Sequence, residues 1–439
     1  MEEAPNKAEL FRARPARLGA WGLLLAGLLA LLLGCRGPGA PATEGTTLTF
    51  VHGKVLGPSD PLPGLLQEFE ARHPGVRVRQ ETLPSSTDEQ HQFYLINLEA
   101  RTPFDVIAVD VIWVPEFVRA GWLRDLSEVF PPGERPAFLE TPREAASVDG
   151  RPYGVPWLMD AGVLFYRVDL LARYGFEPPE TYAELARQAR AIMEGEQDPR
   201  LAGFLWQGKQ YEGMVVNAFE QIWANGGRVL APDGRVTVER PEVVEALGFM
   251  RRLITSGASP GWVTAADEEL SRRSFNAGRA VFHRNWPYAI DLFEARDSPI
   301  RGKVGMTRLP RHPGGERVSA LGGWSLTIPR GSRHPEAAWE LISFLTGEHA
   351  QKAMALGAGF KPTRHALYQD PELTRYQPYL PSLYPLMQAA RPRPVTPYYL
   401  MISQILQPEW SAVLVGIKSP EAAVASAKVR LLHLLGQSR

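Results

Sequence analysis

A single cysteine, Cys35, in 439 residues excludes both a disulfide framework and a thiolate metal cluster within one molecule. The chain has no Walker-type phosphate loop, no His-Glu-x-x-His, no Gly-x-Ser-x-Gly and no dinucleotide fingerprint, which weakens the enzymatic readings without removing them. Its nine histidines are scattered without ligand spacing, so each reads as a surface or satisfied core residue, and neither a metal nor another cofactor is expected. An excess of one charge is missing too, since 48 Lys and Arg balance 48 Asp and Glu. Without the first 34 residues, 44 basic residues stand against 45 acidic ones, a net charge of −1. That balance provides no electrostatic footprint for nucleic acid and no polybasic patch for anionic lipid, so the expected partner is a neutral small molecule. Beyond residue 33 no apolar run approaches the roughly 20 residues that a membrane span needs, and no internal repeat is visible.

What is present begins with an N-terminal leader. Arg12, Arg14 and Arg17 precede an apolar run over residues 18–33, followed by Gly34 and Cys35, the charge-then-apolar order of an export signal. Leu32-Leu33-Gly34-Cys35 resembles the bacterial lipobox, although Leu33 departs from the small or branched residue usual there. The resemblance implies cleavage before Cys35, lipid on its sulfur and a protein held at the cell envelope; an ordinary secretory leader or an uncleaved anchor is the competing reading. Residues 35–45, rich in Gly, Pro, Ala and Thr, suit a flexible tether. The remainder is too long for one ordinary core, so two lobes of roughly 150 to 200 residues each are expected, and 40 Gly with 39 Pro point to many turns.

Hydrophobic periodicity supplies the elements. Residues 46–51 read as a strand, Asp60-Pro61 opens a helix carrying Leu62, Leu65, Leu66 and Phe69, residues 76–80 alternate as a strand, residues 88–100 read as a helix, and residues 104–109 fit a buried parallel strand. The same alternation continues through a strand at 163–166, a helix opened by the capping box Thr181-x-x-Glu184, and helices carrying Val243, Leu247, Met250 and Ile254, then Ala338, Leu341, Ile342 and Leu345. It predicts α/β lobes in which helices cover mostly parallel sheets.

The chemistry-bearing signal is aromatic and polar together. Trp286, in Arg284-Asn285-Trp286-Pro287-Tyr288, and Trp324, in Leu321-Gly322-Gly323-Trp324, stand at expected loop positions beside glycine or proline. A tryptophan there offers a flat face that a ring can approach closely, and the C–H face of a pyranose stacks on such a surface while its hydroxyls need carboxylate, amide or guanidinium partners. Core packing is the plainer reading of either residue alone. Asp110 ends the apolar run 106–109, at the carboxyl end of a strand, where ligands of open α/β sheets bind; a turn cap is its plainer reading. Asp160 interrupts the apolar stretches around residues 156–162 and reads as a crossover between lobes or as a salt-bridged surface residue. Asp110 and Asp160 can also be read as the acid and base of a secreted glycoside hydrolase.

From residue 46 to the C-terminus the chain resembles the extracellular solute-binding proteins of ABC sugar importers, in the maltose and trehalose class. Six blocks carry the resemblance in order: Pro103-Phe104-Asp105-Val106 onward to Trp113, then residues 160–166, 206–213, 284–289, 321–324 and 392–399, the last beginning Pro392-Arg393-Pro394. It implies a two-lobe periplasmic-binding-protein (Venus flytrap) fold with three hinge crossings, placed near Asp160, Gly323 and Thr346. The lobes would comprise residues 46–159 with 324–346 and residues 160–323 with 347–439. The resemblance implies a non-enzymatic, monomeric receptor that binds a disaccharide such as trehalose or maltose and delivers it to the permease subunits of an ABC importer; an oligosaccharide or a glycerophosphodiester is the alternative solute. By similarity Asp110, Asp160, Trp286, Tyr288, Gly323, Trp324 and Arg393 contact sugar, with Asp60 and Gln92 matching more loosely. Leu158 and Met159 stand where relatives carry an aromatic, and His91-Gln92 where some carry paired arginines.

Overall fold

The computed structural model describes residues 45–437, so the leader, Cys35 and the tether before Gly45 lie outside the described residues. In chain order, β1 (Thr46–Gly53) leads to α1 (Leu62–Arg72), whose buried side chains are Leu62, Leu65, Leu66 and Phe69. The Asp60 carboxylate accepts from the Leu62 N–H at 3.0 Å in the turn that leads into this helix. β2 (Val76–Leu83) pairs parallel to β1, and α2 (Thr87–Glu99), capped by Ser86, returns the chain to β3 (Val106–Asp110), parallel to β1 on its other side. Every residue of β3 is buried, as expected for a central strand covered on both faces.

A short hairpin, β4 (Ser147–Val148) and β5 (Arg151–Pro152), precedes β6 (Val155–Ala161) and β7 (Val163–Arg167). α3 (Tyr182–Glu196) begins with the expected capping box at Thr181 and Glu184. Then come β8 (Ala202–Leu205), α4 (Glu212–Ala224), buried along its whole length, α5 (Pro241–Thr255), α6 (Glu268–Asn276), β9 (Ala280–Asn285), β10 (Val304–Arg308) and β11 (Leu321–Thr327). α7 (Pro335–Leu345), α8 (Glu348–Ala358), α9 (Tyr399–Val415) and α10 (Pro420–Leu434) complete the elements used below.

The strands form two open sheets, ordered β2-β1-β3-β11-β6 and β10-β7-β9-β8, one in each lobe. They are mixed rather than mostly parallel. β11 runs antiparallel to both β3 and β6, and β7 runs antiparallel to both β10 and β9. The reason is connectivity: β11 enters the first sheet from the other lobe, so no helical crossover forces it parallel to its neighbours.

Gly162 alone separates β6 in the first sheet from β7 in the second, so the chain changes lobe there, beside Asp160. The return crossing lies between β10 and β11, and the two crossings hold each other: Ser319 Oγ donates to the Gly162 carbonyl at 2.6 Å, and Leu321 N–H and Arg391 N–H complete a pairing between segments 319–321 and 391 at 2.8 Å each. Thr346, expected near a third crossing, sits between α7 and α8. Both helices pack on the first-lobe core through Leu341, Leu345, Ala350, Met354 and Ala358, and the next tie to the second lobe is Lys361 on Asp291, at 2.8 Å. An amphipathic helix shows that it has a core-facing stripe but not which sheet that stripe meets.

Candidate functional site

Between the sheets lies a cleft of about 490 Å³ lined from both lobes, within the range of pockets that enclose small ligands. Its floor is the meeting of β3, β11 and β6. Trp324 on β11 stands opposite Asp110, the last residue of β3, while Gly322 on β11 stands opposite Asp160 on β6. Both carboxylates therefore flank one strand. Trp324 lies within that strand and not in the loop expected from its glycine neighbours. The glycines serve close approach instead: Gly323 has φ +137°, and a Cβ there would lie 2.6 Å from the Leu158 carbonyl, while one at Gly322 would press on the Trp286 ring at 3.0 Å. Gly323→Ala is accordingly expected to cost at least ~2 kcal/mol of stability, read from the urea midpoint; an unchanged midpoint would count against the close packing of β11 on β6.

Arg393 is buried and sits among acids. Its Nη1 donates to Glu212 at 2.7 Å, its Nη2 donates to the Leu321 carbonyl at 3.1 Å and lies 3.7 Å from Asp110. Burial works against the guanidinium charge, yet Tyr399, Glu212 and Asp110 outweigh it and push the pKa up. Glu212 also accepts from the Tyr399 and Ser403 hydroxyls, so the pair meets the requirement that buried charges be hydrogen-bonded as well as matched. Asp110 in turn accepts from the Ile112 N–H at 3.2 Å. Its pKa is raised to about 6 by burial, with Glu212 adding and Arg393 opposing. Asp160 is raised to about 7 by burial, against the pull of Lys361 and Arg284.

The second lobe supplies an aromatic wall. The Arg284 guanidinium lies 4.2 Å over the Trp286 ring, and Tyr211 and Tyr288 line the cleft beside it. Across the cleft the buried Trp113 meets Trp324 edge-on, with centroids 5.3 Å apart at 88°. Carboxylates dominate the lining, with Asp88, Glu89, Asp110, Asp160, Glu212, Asp267, Glu268 and Glu269 facing only three cations, Lys54, Lys209 and Arg393. Such a surface accepts hydrogen bonds from hydroxyls and repels anions. Among the described residues no group of metal-ligating side chains stands together, and no helix is long and apolar enough to cross a membrane.

Seven of the nine expected contact residues line this cleft: Asp110, Asp160, Trp286, Tyr288, Gly323, Trp324 and Arg393. Asp60 does not; its carboxylate is taken by the Leu62 N–H in the turn before α1. Gln92 is exposed on the outer face of α2, whereas its neighbours Gln90 and Glu89 line the cleft. His91 is buried, 2.9 Å from Glu116 and packed on Trp113 and Phe117. Lys209, Tyr211, Glu212, Glu268 and Glu269 also line the cleft; the three acids stand in helix first turns, where a carboxylate reads from sequence as a partner of the helix dipole. Trp157 and Phe360 carried no polar signal.

Residues 57–352 match the family described as bacterial extracellular solute-binding protein. A Deinococcus radiodurans protein described as "Probable ABC transporter-binding protein" is 36% identical over 375 residues, covering 84% of this chain and 89% of its own length. Maltose-bound MalE3 of T. maritima superposes with a TM-score of 0.85 at 39% identity, over 89% of this chain and all of that one. A solute-binding protein of Thermotoga lettingae bound with α-D-tagatose superposes at 0.79 with 26% identity, over 89% and 100%.

Proposed function

Since this chain belongs to the bacterial extracellular solute-binding proteins, we propose that it is the receptor of an ABC sugar importer and binds a disaccharide, maltose or trehalose, between its lobes. The observation that carries the reading is one cleft holding aromatic faces from both lobes among acceptor carboxylates, in a fold shared at 39% identity with a maltose-bound protein. Trp286 and Trp324 stack on pyranose faces, and Asp110 and Asp160 accept from hydroxyls. A polar group left unpaired in the cleft costs about 1–3 kcal/mol, which selects stereochemistry. Sugar draws the lobes together because only the closed form makes contacts from both at once, and the closed receptor is what the permease reads. The protein acts as a monomer without catalysis, exported and held at the envelope through lipid on Cys35.

Calorimetry with maltose and trehalose tests this. Trp324→Ala and Asp110→Ala are each expected to weaken binding at least tenfold while circular dichroism stays unchanged; wild-type affinity in both would remove them from the site. Phosphorylated sugars and glycerophosphodiesters are expected to give no thermal shift, because the carboxylate-rich lining repels them. A single-ring sugar such as tagatose is the second reading, favoured by the tagatose-bound relative, and belongs in the same titration.

A further inference from the structure

The first turn of α6 touches every ring of the aromatic wall. Tyr211 Oη donates to Glu268 Oε2 at 2.5 Å, Trp286 Nε1 donates to Glu268 Oε1 at 3.5 Å, and Tyr288 Oη donates to Glu269 Oε1 at 3.1 Å. The rings come from two segments far apart in sequence. Tyr211 has extended backbone at the start of α4 and makes no side-chain cap, and Trp286-Pro287-Tyr288 is the turn after β9. The turn that carries the two carboxylates is held at several points, and the Glu268 carbonyl itself accepts from Asn285 Nδ2 at 3.3 Å. The Asp267 carboxylate caps α6 at Leu270 N–H, 2.9 Å, and Arg272 grips Glu269 through two bonds of 2.9 and 2.7 Å. Ser271 anchors the same turn to Gln207 in the second-lobe core at 3.0 Å. Three rings from two segments are thus tied to one turn from a third place in the chain.

We propose that Glu268 and Glu269 are positioning residues for sugar recognition, acting through Tyr211, Trp286 and Tyr288 to hold one wall of the cleft in binding-ready orientation. The inference rests on reading the cleft as a sugar site. Its physical basis is preorganisation: rings already fixed lose less rotational freedom when a ligand arrives. The two rings use different oxygens of Glu268, so an amide there holds both only by accepting from Trp286 Nε1 through its oxygen while donating an N–H to the Tyr211 hydroxyl oxygen.

The test is calorimetry with maltose and trehalose, together with near-ultraviolet circular dichroism of the ligand-free protein. Glu268→Ala is expected to weaken binding about tenfold and to flatten the aromatic bands before any sugar is added. Glu268→Gln is expected to restore both. Arg272→Met, which frees Glu269 from outside the cleft, is expected to weaken binding about threefold and keeps the proposal testable should the alanine variant fail to fold. Wild-type affinity in Glu268→Ala and Arg272→Met overturns the proposal, and so does a glutamine variant as weak as alanine, since the carboxylate would then meet sugar itself. A wild-type protein that binds no sugar, or a Trp286→Ala variant that binds as wild type, overturns the underlying reading and the proposal with it.

Discussion

Arg284→Ala is expected to lower the free energy of unfolding by roughly 3–5 kcal/mol, the usual consequence of leaving one member of a buried ion pair without its partner. Arg284 and Glu220 each expose only 2% of their side chains and are joined by two bonds of 2.8 and 2.7 Å. The pair sits where the chain changes lobe. A side chain on Gly162 would collide with it, and Glu220 accepts from Ala320 N–H, on the returning crossing, at 3.1 Å. Once the guanidinium is removed, the buried Glu220 side chain keeps only that N–H as a hydrogen-bond partner. The variant also loses the cation under Trp286, so sugar affinity should fall with stability. Urea unfolding followed by circular dichroism measures the first effect. Glu220→Ala should cost a similar amount and the double variant far less than their sum; additive losses would show that the two residues act separately.

Sugar affinity should fall roughly a thousandfold between pH 8 and pH 5, since pH 5 lies about two units below the raised pKa of Asp160, which alone gives about a hundredfold, and about one unit below that of Asp110, which adds about tenfold. Hydroxyl donors favour the ionised carboxylate, so binding must expel a proton wherever Asp160, at about 7, or Asp110, at about 6, is still protonated. Lys361 and Arg284 face Asp160, while Arg393, Glu212 and His91 face Asp110. Stability of the ligand-free fold runs the other way. Both folded values are raised above the unfolded value, so the contribution of these carboxyls is complete below about pH 4 and is lost as pH rises through 6 and 7. Calorimetry in buffers of different ionisation enthalpy reads proton release directly, and Asp160→Asn should remove most of the slope. Affinity that is flat from pH 5 to 8 would mean that neither carboxyl receives a hydroxyl.

Much of the fold was legible because its signals are local. The capping box at Thr181, the apolar spacing of α1 and the buried run ending in Asp110 depend on neighbours within a few residues, and they appear where expected. Strand direction was not legible: β11 lies beside β3 across more than 200 residues of chain, and nothing within residues 321–327 records which way its partners run. Trp324 illustrates the same limit, since Gly322 and Gly323 read as a loop until Trp286 and the Leu158 carbonyl are seen against them. Asp60 and Gln92 also show it, because a turn carboxylate and an outward-facing amide carry the same side-chain chemistry as a ligand contact and differ only in where they point.

The order of the chain alone therefore determined the alternation of elements, the two-lobe expectation and seven of the residues that line the cleft, because periodicity, capping and residue chemistry are short-range properties. The tertiary structure decided which of them share the cleft, that Arg393 is spent on Asp110 and Glu212, and that α6 braces the aromatic wall, because these depend on contacts between segments far apart in sequence.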